Sequence, residues 1–385
     1  MSLDNLSISN SSGRRPRSPR SQSRLRVGAI MLWTVAVLAV ADLATGIVFP
    51  PLRDPLRMSS LQLYFDYGRS IEGKLRDEVG AASAQDAVII DAGWIAENCN
   101  RASPTSPDKH AFDIYGMSFS NRIGERLVQL DPTLTENRFA GPSAPVNHSY
   151  ACFLHRFDSK VNLAPIQILG VLASSIPRML TLTGLTTSFE AIQPFTYPRY
   201  SLAADGRLVA INPSISTAYE LRETLTNPAK WHRFVNQLAM HDYFYDRFVF
   251  NADLLDHSAL GRMVRRAWGQ RVQRERIAKL RRDDFANPDI EPVLRAMLID
   301  FAKKARSVHA RPIVVLIEDR GFGRSLSTIG APALAANHVE FISTSDVVSP
   351  EAADNFLADG HFTAAANDKV ARAVLSLLRR DPAMR

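Results

Sequence analysis

The chain has 385 residues, a formal net charge of +7 at pH 7, 46% hydrophobic residues and 22% charged residues. These fractions are ordinary for a globular protein, and the length suffices for one large domain or two modest ones with tails. Much of the positive excess lies near residues 14–26 and 262–282. The remainder is close to neutral, so nucleic acid is not an expected partner.

Two segments open the chain. Residues 1–26 are rich in Ser, Asn, Pro and Arg and predict a disordered, basic cytoplasmic tail. Residues 27–49 are almost wholly apolar and reach the ~20 residues that a helix needs to span a bilayer. Because arginines precede this segment and few charges follow it, we expect a single-pass signal-anchor in the inner (plasma) membrane. The N-terminus is then cytoplasmic and the main domain periplasmic.

Asp42 complicates the predicted span, because a carboxylate inside a bilayer is costly unless it lies near the interface or faces a partner. A cleaved signal peptide is the competing interpretation. Its apolar core would be 27–38, and Ala39-Val40-Ala41 has the form of a cleavage site. The uncleaved anchor is favoured because apolar residues continue to Phe49. In both cases the main domain is exported.

Residues 50–109 are predicted to form a membrane-proximal helix, at 58–79, and a linker. Within the linker, 88–95 suggests a short strand and 98–109 a loop. The two cysteines, Cys99 and Cys152, have no metal-type spacing. They form either one disulfide outside the cytosol or two unrelated free thiols.

Residues 110–380 alternate apolar strand-like runs with amphipathic helical runs, apart from an insertion at 183–290. Strands are expected at 111–116, 165–172, 312–317 and 338–344, and helices at 121–130, 291–308 and from Thr363 onward. This order predicts a three-layer α/β domain with a mostly parallel sheet. Inside the insertion, 201–212 predicts a hairpin that turns at Asp205-Gly206.

Two other features of the insertion each allow two interpretations. The aromatic stretch at 231–245 suggests a sugar-binding surface or, more commonly, a small core. The basic helix at 258–282 suggests contact with anionic lipid or acidic polysaccharide, or a solvated face. No metal site is expected, because the spacing of the acidic and imidazole side chains in this region matches none: His232, His241, Asp242 and Asp246.

Ser118 is the candidate nucleophile. It follows an apolar strand at a tight turn that leads into a helix, and open α/β sheets place their chemistry at this edge. A serine hydroxyl needs a base, usually a histidine that a carboxylate orients. His361 precedes the last helix, with Asp359 two residues earlier, and is the best candidate. A simple turn with a helix cap is the plainer interpretation of that loop.

Together, Gly116-Met117-Ser118-Phe119-Ser120 and Asp359-Gly360-His361 resemble the SGNH (GDSL-type) hydrolase superfamily, whose domain begins with a Gly-Asp-Ser-Phe-like block and ends with an Asp-x-x-His block. The resemblance covers roughly 110–380, interrupted by the insertion. The anchor and the insertion look like the exported branch of the superfamily, which includes proteins that add or remove acyl groups on cell-surface polysaccharides.

The resemblance implies a role for each matching position. Ser118 is the nucleophile and its N–H the first oxyanion donor, while His361 is the general base and Asp359 its orienting acid. Gly141 offers a second oxyanion N–H. The family's third donor is an asparagine, but the corresponding place here reads Ala173-Ser174-Ser175, where Ser174 is the substitute.

The chain departs from the family pattern in three ways. Met117 stands where the family usually has Asp, the Asp-to-His spacing is one residue shorter, and the asparagine is absent. The leading hypothesis is a membrane-anchored serine esterase or O-acyltransferase that acts on an acylated glycan or a related small ester, without a cofactor. The alternative is a catalytically degenerate domain that binds a glycan or a protein partner in an envelope assembly.

Overall fold

The computed structural model of the protein describes residues 19–50, 58–80, 91–100, 110–281 and 285–380. Residues 1–18 of the predicted tail and most of the predicted linker, at 81–90 and 101–109, lie outside the described residues. Within them, the seven strands are β1 (His110–Gly116), β2 (Leu134–Ala140), β3 (Ile166–Leu172), β4 (Arg199–Leu202), β5 (Leu208–Ile211), β6 (Arg311–Ile317) and β7 (Glu340–Ser343).

Five of these strands form one sheet in the order β2-β1-β3-β6-β7, and every neighbouring pair is parallel. All residues of β3 and all but the first of β6 are buried, as expected for parallel strands that are covered on both faces. The predicted α/β class with a mostly parallel sheet is confirmed.

Helices cover both faces of the sheet. In chain order the α-helices are α1 (Pro19–Val48), α2 (Ser60–Asp66), α3 (Ile71–Gly80), α4 (Ile95–Asn98), α5 (Ser118–Leu130), α6 (Val146–Asp158), α7 (Ala218–Thr226), α8 (Pro228–His241), α9 (Arg247–Phe250), α10 (Ala259–Arg281), α11 (Glu291–Ser307), α12 (Ser325–Ala336) and α13 (Ala364–Leu378). On one face of the sheet α5 and α13 pack together, and on the other α6, α11 and α12 share a second core. Short 3₁₀ helices lie at Ala173–Leu180, Leu254–His257, Thr344–Asp346 and Ala353–Asn355.

A third core lies under the insertion. The hairpin β4-β5 turns at Asp205-Gly206 as predicted, and Gly206 takes the positive φ of 79° that the turn requires. Trp231 and Phe234 are buried, and Trp231 stacks on Phe250. These rings therefore form a core under the insertion, and the interpretation as an exposed sugar-binding surface is wrong for them.

The N-terminal elements differ from the sequence predictions in three places. Helix α1 begins at Pro19, so residues 19–26 extend the apolar helix rather than belonging to the predicted tail; proline is well suited to a first helical position. The predicted helix at 58–79 breaks around Gly68, where a Cβ atom would lie 1.8 Å from the carbonyl oxygen of Arg262. The predicted strand at 88–95 is replaced, in its described part, by a turn at Gly93 (φ 86°) that leads into α4.

Candidate active site

Ser118 is the first residue of α5, directly after β1. The residue before it, Met117, is extended and provides no side-chain cap for the helix. The first N–H groups of an α-helix have no intrahelical partner. At this turn they face the space outside the carboxyl end of β1. The turn therefore sets a hydroxyl beside uncapped N–H groups, which is an arrangement suited to an anion.

Two glycines fix how closely α5 approaches the sheet. A Cβ atom on Gly116 would lie 2.0 Å from Oγ of Ser120, and one on Gly170 would lie 2.1 Å from the same oxygen. Ser120 is thus wedged between β1 and β3, with its hydroxyl buried and without a hydrogen-bond partner among the described residues. This packing holds the first turn of α5, and with it Ser118, against the strand ends.

The structure brings Ser118 and His361 together, although 243 positions separate them in sequence. Oγ of Ser118 lies 2.7 Å from Nε2 of His361. In the tautomer that carries its proton on Nδ1, the imidazole accepts the hydroxyl proton at Nε2. Thr363 caps α13 through its own side chain, so His361 is not used as a helix cap. The imidazole instead stacks on Phe119, with ring centroids 4.8 Å apart.

Asp359 lies on the other side of the imidazole. Its Oδ2 is 3.0 Å from Nδ1 of His361, off the line of a hydrogen bond, while its Oδ1 accepts the backbone N–H of His361 at 3.1 Å. That backbone hydrogen bond, followed by the imidazole and Arg122, lowers the pKa of the Asp359 carboxyl. Asp359 is therefore ionised at neutral pH, and its side chain is 57% exposed.

Gly141 begins the loop after β2. Because Ala140 pairs with Gly116, Gly141 lies next to the turn that carries Ser118. A Cβ atom on Gly141 would lie 2.8 Å from the ring of His148, so only glycine fits. His148 is buried, and burial lowers its pKa to about 4. The imidazole is thus neutral and donates from Nε2 to the carbonyl oxygen of Gly93, at 2.6 Å.

Ser174 lies in the 3₁₀ helix after β3, but its backbone N–H is already used. It donates to Oδ1 of Asp319 at 3.0 Å, and the Ser174 hydroxyl interacts with the same carboxyl, so both donors of Ser174 are directed to Asp319. Asp319 follows β6 and is buried, and that burial raises the pKa of its carboxyl. Sequence analysis missed Asp319, because no local pattern links it to the loop after β3.

Arg178 is a second group that the sequence did not reveal. It belongs to the 3₁₀ helix after β3, and its guanidinium donates to the carbonyl oxygen of Ser143, in the loop after β2, at 2.7 Å. Since β1 lies between β2 and β3, this contact crosses the end of the strand that leads to Ser118. Burial lowers the pKa of Arg178, and this effect is partly opposed by the nearby Tyr197 and the Asp319 carboxylate.

Comparisons of the chain with protein-family models, with curated proteins and with solved structures find no match. Among the described residues, no group of three or more His, Cys, Asp or Glu side chains could hold a metal ion. Ser118, His361, Asp359 and the polar groups around them are the functional groups at this edge of the sheet.

Proposed function

We propose that the protein is a membrane-anchored serine esterase or O-acyltransferase of the SGNH type, acting outside the cytoplasm on an acylated glycan or a related ester. One observation carries the proposal: the 2.7 Å contact between Oγ of Ser118 and Nε2 of His361, with Asp359 on the far side of the ring. A serine, a histidine and a carboxylate in this order form the arrangement that activates a hydroxyl for attack on an ester carbonyl.

In the proposed mechanism, Oγ of Ser118 attacks the carbonyl carbon of the ester while its proton passes to Nε2 of His361. The imidazolium then carries one positive charge, which the ionised Asp359 stabilises from the Nδ1 side. Collapse of the tetrahedral intermediate breaks the bond to the alcohol, which leaves with the proton from Nε2. The acyl group remains on Ser118 until water or a sugar hydroxyl, deprotonated by His361, attacks it.

The tetrahedral intermediate carries a negative oxygen that needs donors. The uncapped start of α5 and the loop at Gly141 lie at the same strand ends, and we assign the first two donors to them. The family's asparagine is absent, and the N–H of Ser174 is occupied. Arg178 crosses the end of β1, and we assign the third donor to its guanidinium.

Three observations support an exported, anchored domain. Residues 26–48 of α1 are long and apolar enough to cross a membrane, and none of this segment's most apolar window is buried in the protein. Oδ1 of Asp42 accepts the backbone N–H of Leu260 at 2.8 Å, which ties α1 to the main domain and favours an uncleaved helix. A disulfide joins Cys99 to Cys152, and disulfides persist mainly outside the cytosol.

The second candidate function is a binding module for a glycan or an envelope protein. The exposure of Asp359 and its poor alignment with Nδ1 favour it, since an efficient base is normally held by an aligned hydrogen bond. The two functions share the same fold and differ only in whether the Ser118 hydroxyl is reactive.

To separate them, the full-length protein in detergent is treated with p-nitrophenyl acetate and with a fluorophosphonate probe. An enzyme hydrolyses the ester and is labelled, and both reactions disappear in Ser118→Ala. The matched control is Ser307→Ala, which removes an exposed hydroxyl at the end of α11. Folded protein that neither hydrolyses the ester nor takes up the probe at Ser118 supports the binding module.

A further inference from the structure

Exposed apolar side chains are concentrated in two short segments. Outside α1, twelve large apolar side chains of the described residues are exposed, and six of them lie on α2, in the turn before α10 or in the first half of α10. These six, which we call the apolar face, are Leu61, Tyr64, Leu254, Met263, Val264 and Trp268. Leu254 is 86% exposed, the largest value among the twelve. The other six are scattered over separate elements, as is normal for a soluble surface.

The apolar face lies beside the end of α1. Helix α10 contacts both α1 and α2, and Asp42 accepts the N–H of Leu260 in the first turn of α10. Asp42 is six residues before the end of α1 at Val48, so at 1.5 Å per residue the start of α10 lies ~9 Å from that end. The hydrogen bond therefore fixes the position of the start of α10 along the axis of α1, which we call its level.

That level lies a few ångströms inside the edge of a bilayer. The apolar segment Arg26–Val48 has 23 residues, which as a helix span ~35 Å, whereas the hydrocarbon core is ~30 Å thick. When this segment is centred in the membrane, Asp42 lies ~7 Å inside the boundary between acyl chains and headgroups, within the ~5–10 Å to which interfacial helices bury their apolar face. Leu254 precedes α10 by five residues and is then held at the same boundary.

We propose that the apolar face rests on the lipid bilayer and that Asp42 holds it there. The inference relies on α1 being an uncleaved membrane anchor, as proposed above, but not on any catalytic activity. Tyr64 and Trp268 are the residue types that favour the membrane interface, where a ring meets acyl chains and its polar edge meets headgroups. Leucine and valine at positions 254 and 264 supply apolar area that water would otherwise cover.

The charges near the face are mostly compensated within the protein, which favours a lipid surface over a strongly acidic partner. Arg265 is buried and pairs with Asp253 and Asp256. Arg266 pairs with Glu190 at 2.8 Å and lies over the ring of Tyr64. These internal pairs explain why the basic helix predicted from the sequence is not a free cationic surface in its first half.

The test uses the full-length protein, reconstituted in phosphatidylcholine vesicles and labelled at single cysteines with the environment-sensitive fluorophore NBD. Both native cysteines are in the disulfide, so an introduced cysteine is the only free thiol. Three variants are compared: Leu254→Cys on the apolar face, Val35→Cys within α1, and Val308→Cys. Val308 is exposed at the end of α11, next to the amino ends of the strands, and serves as the soluble control.

Quenching by nitroxide attached to the lipid reports contact with the bilayer. We expect strong quenching at positions 35 and 254, at least threefold more than at position 308, and blue-shifted emission at position 254. Strong quenching at position 35 with position 254 behaving like position 308 overturns the proposal. So does a label at position 254 that is shielded from aqueous iodide but not quenched by the lipid, because a protein partner would then cover the face. Absence of quenching at position 35 refutes the anchor itself and the proposal with it.

Asp42→Ala tests the role of the hydrogen bond, with Asp42→Asn as the matched variant that retains an oxygen acceptor. We expect the alanine variant to lose at least half of the lipid quenching at position 254 while position 35 is unaffected, and the asparagine variant to keep it. Equal quenching at position 254 in all three proteins contradicts the role assigned to Asp42.

Discussion

The guanidinium of Arg178 donates to the carbonyl oxygen of Ser143 at 2.7 Å and so joins the 3₁₀ helix after β3 to the loop after β2, across the end of β1. Ser143 itself has a positive φ of 52°, a conformation that non-glycine residues seldom adopt. The contact therefore shapes the loop that begins at Gly141 and holds a positive charge at the carboxyl ends of the strands.

If Arg178 supplies the missing oxyanion donor, replacing it with glutamine lowers kcat for p-nitrophenyl acetate by about 100- to 1000-fold, with a much smaller change in KM. Arg178→Lys retains the charge and is expected to lose less. Steady-state kinetics check this, with Arg306→Gln as control, because Arg306 also donates to backbone carbonyl oxygens but lies on α11. An unchanged kcat in Arg178→Gln would remove the residue from the mechanism.

Asp359 is expected to increase kcat/KM by a modest factor. Asp359→Asn keeps the acceptor for the backbone N–H of His361 but loses the charge beside Nδ1. Because the carboxylate is largely exposed, we expect a loss in kcat/KM of about 10- to 100-fold, below the ~10⁴-fold known for a buried aspartate. The lowered pKa of Asp359 keeps it ionised from weakly acidic to alkaline pH, so the carboxylate adds no further step to the wild-type pH profile there. A loss confined to alkaline pH would contradict this role.

The packing of Ser120 between Gly116 and Gly170 predicts that removing its hydroxyl restores the stability of one glycine variant and not of the other. Gly170→Ala and Gly116→Ala both bring a methyl group against Oγ of Ser120 and should each destabilise the fold by about 1–3 kcal/mol. Adding Ser120→Ala leaves the nearest Ser120 atom 3.1 Å from the new Cβ at position 170, but 2.5 Å at position 116. Denaturant unfolding should therefore show recovery for the first double variant only, and equal recovery of both would contradict the packing.

His148 is expected to make the protein sensitive to mild acid. Its pKa is about 4 in the folded state, against ~6.5 in the unfolded chain, so the folded state binds fewer protons between these values. This contribution to stability is fully present above about pH 6.5 and is lost as the pH falls toward 4. At pH 5 the loss amounts to about 2 kcal/mol.

His148→Gln keeps a donor for the carbonyl oxygen of Gly93 but does not titrate. The free energy of unfolding is measured in denaturant at pH 7.5 and pH 5. The glutamine variant should lose less stability between the two pH values than the wild type does, and an identical loss would exclude His148 as the group responsible.

Local patterns in the sequence were enough to predict four of the five strands of the main sheet, all but β2, and the turn at Ser118 and the loop at His361. Apolar runs and helical periodicity depend on neighbours within a few residues, and both motifs are short and continuous. The contacts around the candidate active site, at the carboxyl ends of the strands, depend on tertiary packing instead. Arg178 meets Ser143 only because β1 separates β2 from β3, and the break at Gly68 follows from the approach of the Arg262 backbone.

The disulfide and the hydrogen bond of Asp42 also depend on tertiary packing, which local sequence patterns do not reveal. The sequence left two interpretations of Cys99 and Cys152 open, and only the position of α6 beside α4 brings the sulfur atoms together. The sequence shows a carboxylate inside the predicted span but not its partner, because the N–H of Leu260 comes from α10, 218 residues away.

The most direct test of the central claim is mass spectrometry of the folded protein after reaction with a fluorophosphonate. The shared proton between Ser118 and His361 predicts one adduct per chain, on the peptide that contains Ser118, and its loss in His361→Asn at an unchanged melting temperature. The account is contradicted when wild-type protein carries no adduct on that peptide, or when His361→Asn is labelled there as fast as the wild type.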